Sequence, residues 1–209
     1  DAFTPAGRIL MLSSLVEHGD YIRRHHWEHH NHALMELDGL NLLALGFPEL
    51  DKSQTWHDYA MRKMIGEMDH QVLPDGAHDE LSSGYHWVSL QSFEGVAETC
   101  RRAGVDVPED YRQGLVEMYD YWTWLIRPDG TLPMNNRSDR AAAAERILRA
   151  AETYGRPDWR YIATNGRSGR PPEGLPSRTS HRSEPHTDNG FEFGSRTPGT
   201  APPLACRTP

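Results

Sequence analysis

Residues 31–48 read NHALMELDGLNLLALGFP. Within them Leu34, Leu37, Leu40, Leu43 and Ala44 recur at three- and four-residue intervals, which lines one face of a helix with apolar side chains. Phe47-Pro48 ends the run, because proline lacks the amide hydrogen that a helix interior needs. The same period continues on both sides. Upstream, Ile9, Leu10, Leu12, Leu15 and Val16 predict a helix. Downstream, Trp56, Tyr59, Met61, Met64, Ile65 and Met68 predict another, closed by Pro74-Asp75-Gly76. Further helices are expected from about Ser83 to Arg102, from Pro108 as a first helical residue to Ile126, and from Ser138 to Thr153, where Ala141 to Ala144 are strong helix formers. Two-residue alternation of the kind that marks strands is absent, so the expected fold class is all-α.

Composition divides the chain. Residues 1–170 carry nearly all the Leu, Ile, Val, Met and Trp and form the expected domain. Residues 171–209 hold Leu175, Phe191, Phe193 and Leu204 as their only large apolar residues, together with eight of the fifteen prolines. Such a tail buries too little surface to offset its ordering entropy and is expected to be disordered. The formal net charge of −8 gives a whole-molecule field that repels nucleic acid, so no nucleic-acid partner is expected. No apolar run approaches the length that crosses a bilayer, and no membrane partner is expected. Cys100 and Cys206, one in a predicted helix and one in the tail, do not suggest a disulfide framework.

Pro74-Asp75-Gly76 and Pro128-Asp129-Gly130 stand 54 residues apart, about the length of a helical hairpin with its loops. Asn31 and Tyr85 are separated by the same 54 residues, each at or just before a helix start. As a repeat, this places them at equivalent corners of successive hairpins, opening to one side. A further 54 residues reaches Asp139, in the polar loop that also holds Arg137. The competing reading is a coincidence of common turn signals.

Three stretches carry candidate chemistry. Residues 25–32 contain five histidines. His25, Glu28 and His29 satisfy an inverse zincin pattern, which gives a zinc hydrolase as one alternative. Such a site needs a third protein ligand and a helix running through the motif. The segment falls instead where one helix ends and the next begins, so a polar helix junction is the expected reading and no metal or cofactor is assigned. Asn31-His32 opens the apolar helix. Asn31 suits an N-cap, whereas an amide beside an imidazole at a helix N-terminus also suits a carboxylate ligand. Residues 75–87 crowd acidic and histidine side chains around Tyr85. A phenol ordinarily titrates near ~10 and acts as a base only where Arg or His lowers that value.

Asn31-His32, the apolar helix to Phe47-Pro48-Glu49, Trp56, the turn from Gln71 to Gly76, and Glu80-x-Ser82-x-x-Tyr85-His86 together resemble the helical domain of heparinase II/III-like lyases. Related alginate and oligoalginate lyases share the pattern, and the resemblance extends over residues 5–165, including Asp129-Gly130-Thr131-Leu132-Pro133. It implies an incomplete α/α toroid of helical hairpins. It also implies an acidic, uronic-acid polysaccharide or oligosaccharide as substrate, cleaved by β-elimination without a metal. Asn31 and His32 would neutralise the uronate carboxylate and Tyr85 would transfer the proton. His86, Glu80, Arg137, Trp87 and Asp139 are the expected substrate-binding residues. The family's β-sandwich domain should follow Gly169, and the tail shows no strand pattern. The whole chain has twenty arginines against two lysines, as a GC-rich gene would give, and the tail is expected to be a truncated or frame-shifted reading of a longer gene. A periplasmic or secreted parent follows from the resemblance. A non-catalytic carbohydrate-binding helical domain is the other reading of the lone domain.

Overall fold

The computed structural model describes residues 3–136 and 143–173, which fold into seven helices and no strand. They are α1 (Pro5–His25), α2 (His30–Gly46), α3 (Ser53–Gln71), α4 (Ser83–Ala103), α5 (Glu109–Trp124), α6 (Ala144–Thr153) and α7 (Pro157–Ala163). The all-α expectation holds. The expected start of the sixth helix, with Arg137, Asp139 and Ala141, lies outside the described residues, as does the tail from Gly174 onward.

Leu34, Leu37, Leu40 and Ala44 are buried on α2, which packs against both α3 and α4. Two core clusters result. Leu40, Ala44, Trp56 and Ala60 join α2 to α3, with Val16 and Ile22 of α1 packed against them. The larger cluster links Leu34, Leu37, Met64, Phe93, Leu115, Trp122, Ile147 and Trp159 across α2 to α7. Gly19 is required at the α1 crossing, since a Cβ there would sit 2.6 Å from the Trp56 ring.

The 54-residue echo is a structural repeat within these residues. Leu73 N–H donates to Ala77 C=O, and Arg127 N–H donates to Thr131 C=O, each at 2.8 Å. Gly76 and Gly130 bond back to Leu73 and Arg127, and Asp75 and Asp129 each accept from the N–H two residues on at 3.1 Å. Both glycines are left-handed, with φ of 82° and 79°, where a side chain is strained. The turns that follow α3 and α5 therefore share one geometry, and Asn31 and Tyr85 fall in the first turns of α2 and α4.

Two boundary expectations change. Pro108 is the N-cap of α5 rather than its first residue, with extended ψ of 151°. The short α7 has no counterpart among the expected helices; Pro157 opens it and tertiary contacts hold it. Arg156 forks between Asp120 and Asp158, and Trp159 Nε1–H donates to Asp120 at 2.6 Å.

Candidate functional site

The corner where α2 and α4 begin is assembled from the α1–α2 linker, the first turn of α2, the end of α3 and the loop of residues 72–82. Asn31 does not cap α2. His29 occupies the N-cap position without a side-chain cap bond, His30 takes a left-handed φ of 69°, and Asn31 falls in the first turn. Its side chain is 7% exposed and makes no hydrogen bond to the described residues. Its amide atoms are not among the polar atoms sealed from solvent without a partner, so water or a ligand can reach them. Because no side chain caps α2 and no acid sits in its first turn, its N–H groups and dipole present a positive end here.

His32 is exposed, with its ring 5.6 Å from that of Trp27. Tyr85 is half-buried in the first turn of α4, which Ser82 caps by accepting from Tyr85 N–H at 3.3 Å. Leu81, just ahead of that cap, is also left-handed, with φ of 50°. Asn135 fixes it, donating to Leu81 C=O at 2.9 Å and accepting from Ser83 N–H at 3.2 Å. His30 and Leu81 are thus non-glycine residues in a conformation that costs on the order of 1–3 kcal/mol, and Asn135 holds the second in place.

Glu80 links the corners. Burial and the neighbouring Asp79 push its carboxyl above the usual range, while His30 and His32 pull it back. His86 lies inward. It is 1% exposed, with Nε2–H donating to Met118 C=O at 3.1 Å and Nδ1 accepting from His78 N–H at 3.2 Å. Burial lowers its pKa to about 4. Both nitrogens are committed, so His86 braces α4 against α5 rather than facing solvent. Trp87 follows Tyr85 by two residues, about 200° around the helix. It stacks on Trp122 at 4.8 Å, with the Arg146 guanidinium 4.1 Å above its other face. The structure therefore puts Asn31 and His32 in the first turn of α2, Glu80 in the loop before α4 and Tyr85 in the first turn of α4, and turns His86 and Trp87 towards α5.

A buried polar chain supports this corner, and sequence reasoning misses it. Glu67, 4% exposed, accepts from His29 Nδ1–H at 2.9 Å and from the Gln71 amide. Gln71 Oε1 accepts from His78 Nε2–H at 2.9 Å, where Ser89 Oγ also lies at 2.9 Å. His78 Nδ1 accepts from Glu80 N–H at 3.3 Å. With Nδ1 accepting from Glu80 N–H, the His78 proton sits on Nε2, towards Gln71 Oε1. Burial lowers the His78 pKa, in keeping with that neutral state. A signal is available, since Glu67 and Gln71 continue the buried stripe of Ala60 and Met64 along α3.

The histidine run is a junction. α1 ends at His25, whose ring packs on Tyr21, and His29 is taken by Glu67. His25, Glu28 and His29 do not share a helical face, so the zincin arrangement is not formed. Among the described residues no three His, Cys, Asp or Glu side chains converge as a metal site.

The family model described as the heparinase II/III N-terminus matches residues 1–156. The chain belongs to this family. A heparin-sulfate lyase of Pedobacter heparinus is 28% identical over 191 residues, covering 86% of this chain and 28% of that protein. One from Bacteroides stercoris is 23% identical over 180 residues, covering 83% and 27%. The crystal structure of a heparan sulfate lyase mutant from Pedobacter heparinus superposes with a TM-score of 0.69 at 28% identity, over 82% of this chain and 28% of that one. A heparinase III structure superposes at 0.70 with 22% identity, a likeness of fold. This heparinase II/III-family chain thus spans a little over a quarter of the length of the curated relatives it matches.

Proposed function

We propose that the chain is the helical, substrate-binding half of a polysaccharide lyase that cleaves uronic-acid-containing, heparan-like glycans by β-elimination. Its hairpins would form a section of an α/α toroid, with the opposite wall of the cleft supplied by a β-sandwich domain. The observation that carries this reading is Asn31, a largely buried residue whose amide has no hydrogen-bond partner among the described residues, set beside the uncapped N-terminus of α2 and exposed His32. A carboxylate completes that set: it accepts from the amide and the imidazole and is favoured by the helix dipole. In the reaction the C5–H bond breaks, its electron pair forms the C4–C5 double bond, and the C4–O4 bond breaks, leaving O4 to take a proton. Charge spreads onto the carboxylate as C5 loses its proton, so donors fixed there lower the barrier. Tyr85 is the proton-transferring group, positioned by the Ser82 cap. Glu80 contacts a sugar hydroxyl, and Arg137 and Asp139 belong to the adjoining subsites. The parent enzyme works in the periplasm or outside the cell, where such glycans are met.

The similarity to heparin-sulfate lyases supports this substrate class. The test is Asn31→Ala in the parent protein, assayed on heparan sulfate and on alginate by the ultraviolet absorbance of the 4,5-unsaturated product. Product from heparan sulfate with wild type and a fall of at least a hundredfold in kcat/KM for Asn31→Ala is expected, the scale of losing one donor to a developing oxyanion. Wild-type turnover by the variant removes Asn31 from the mechanism.

A further inference from the structure

Trp27 is the one large aromatic of the α1–α2 linker, 63% exposed, and outside both core clusters. Isolated exposed apolar residues are ordinary, and exposure alone carries nothing. Three observations set this one apart. Its backbone is fixed at both ends: Trp27 N–H donates to Glu36 Oε2 at 2.7 Å, and its C=O meets His26 Nδ1 at 2.5 Å. His26 is itself anchored, with Nε2 at 2.7 Å from the Tyr59 hydroxyl. The described ring neighbour of the indole is His32, 5.6 Å between centroids, which is one of the residues assigned to the uronate carboxylate. Asn31, 7% exposed and without a hydrogen-bond partner among the described residues, is next in sequence to that imidazole.

We infer that Trp27 is a sugar-stacking platform, the floor of a subsite one pyranose away from the cleaved bond. A pyranose ring has one face of axial C–H groups, polarised by neighbouring oxygens, that fits the electron-rich face of an indole. Its hydroxyls and sulfates stay at the edge in water. Polyanionic substrate leaves little apolar surface elsewhere to recognise, so stacking on one ring face supplies register while His32 and Asn31 take the charge. The pinned linker holds the indole in place before the glycan arrives, which limits the ordering cost of binding. This rests on the lyase reading of the same corner, since it needs a glycan there.

The test uses this full chain labelled with 5-fluorotryptophan, with the Trp27 resonance assigned by its loss in Trp27→Phe. Titration with a heparan sulfate tetrasaccharide is followed by fluorine NMR and by calorimetry. The Trp27 signal is expected to shift saturably, and Trp27→Ala to weaken binding roughly tenfold. That factor should persist at high salt, because stacking is not screened as a surface charge is. Circular dichroism of Trp27→Ala should match wild type, the side chain being exposed. Calorimetric binding with an unmoved Trp27 signal and an unaffected Trp27→Ala overturns the platform and leaves the glycan reading standing. Absence of binding to wild type overturns the platform, while the lyase reading is decided separately by product formation in the parent protein.

Discussion

Exchanging the two polar side chains at the heart of the buried network tests whether the corner is held as described. Glu67 accepts from His29 and from Gln71, and Gln71 accepts from His78. In Glu67→Gln two amides meet, and some buried donor is left without an acceptor whichever way they turn. Gln71 is fully buried and has no recourse to water. An unsatisfied buried donor costs about 1–3 kcal/mol, so roughly 2 kcal/mol of destabilisation is expected. Gln71→Glu places two carboxylates within hydrogen-bonding distance, forcing one to take a proton, and about 2 kcal/mol is again expected. Combining Glu67→Gln with Gln71→Glu restores the chain with its donors and acceptors matched. His29 then donates to the new amide oxygen at position 67, the amide nitrogen there donates to the new carboxylate at position 71, and so does His78. Stability of the double variant should lie within about 1 kcal/mol of wild type, a favourable coupling of roughly 3 kcal/mol where simple addition predicts a loss near ~4. Urea titrations read this as midpoint shifts at constant m. Additivity within about 0.5 kcal/mol would refute the bonding pattern, because residues that share no bonds behave so.

The repeated turns give a paired prediction. A Cβ on Gly76 would lie 2.1 Å from Glu117 C=O, whereas one on Gly130 meets only the Ala144 methyl at 3.5 Å. Gly130→Ala should therefore cost about 1–2 kcal/mol of left-handed strain, and Gly76→Ala about 4 or more, read by thermal unfolding. His86 sets an acid limit. Its pKa is lowered from 6.5 to about 4, so the unfolded chain binds the extra proton between those values. Its contribution is complete above pH 6.5 and falls away as pH drops towards about 4, by roughly 3 kcal/mol. His86→Gln should flatten that slope in urea midpoints measured from about pH 7 to 4, and an unchanged slope would contradict the buried neutral state.

The parts of this molecule written in local period are legible from the chain alone. The α2 stripe of Leu34, Leu37 and Leu40 faces the core as the three- and four-residue spacing requires. The Pro-Asp-Gly turns mark the ends of α3 and α5 because glycine takes their left-handed position without strain. Short α7 escapes notice because no stripe defines it; the Arg156 fork to Asp120 and Asp158 does, across a wide sequence gap. Asn31 reads in sequence as a cap or a ligand, and the left-handed His30 removes the first role by moving the cap to His29. Tyr85 and Glu80 stand in the expected helix and loop. His86 and Trp87 do not share the corner with Tyr85, because adjacency in sequence scatters side chains around a helix. The Glu67–Gln71–His78 chain stays hidden since its outer links, to His29 and His78, are tertiary contacts.

The most direct test of the central claim compares rate with binding for Tyr85→Phe in the parent protein on heparan sulfate. Removal of one phenolic oxygen should abolish appearance of the unsaturated product while leaving the dissociation constant for the glycan within about twofold, as for a group engaged only in the transition state. A variant that turns over near the wild-type rate, or that loses binding and rate in equal measure, would contradict the assignment of proton transfer to Tyr85.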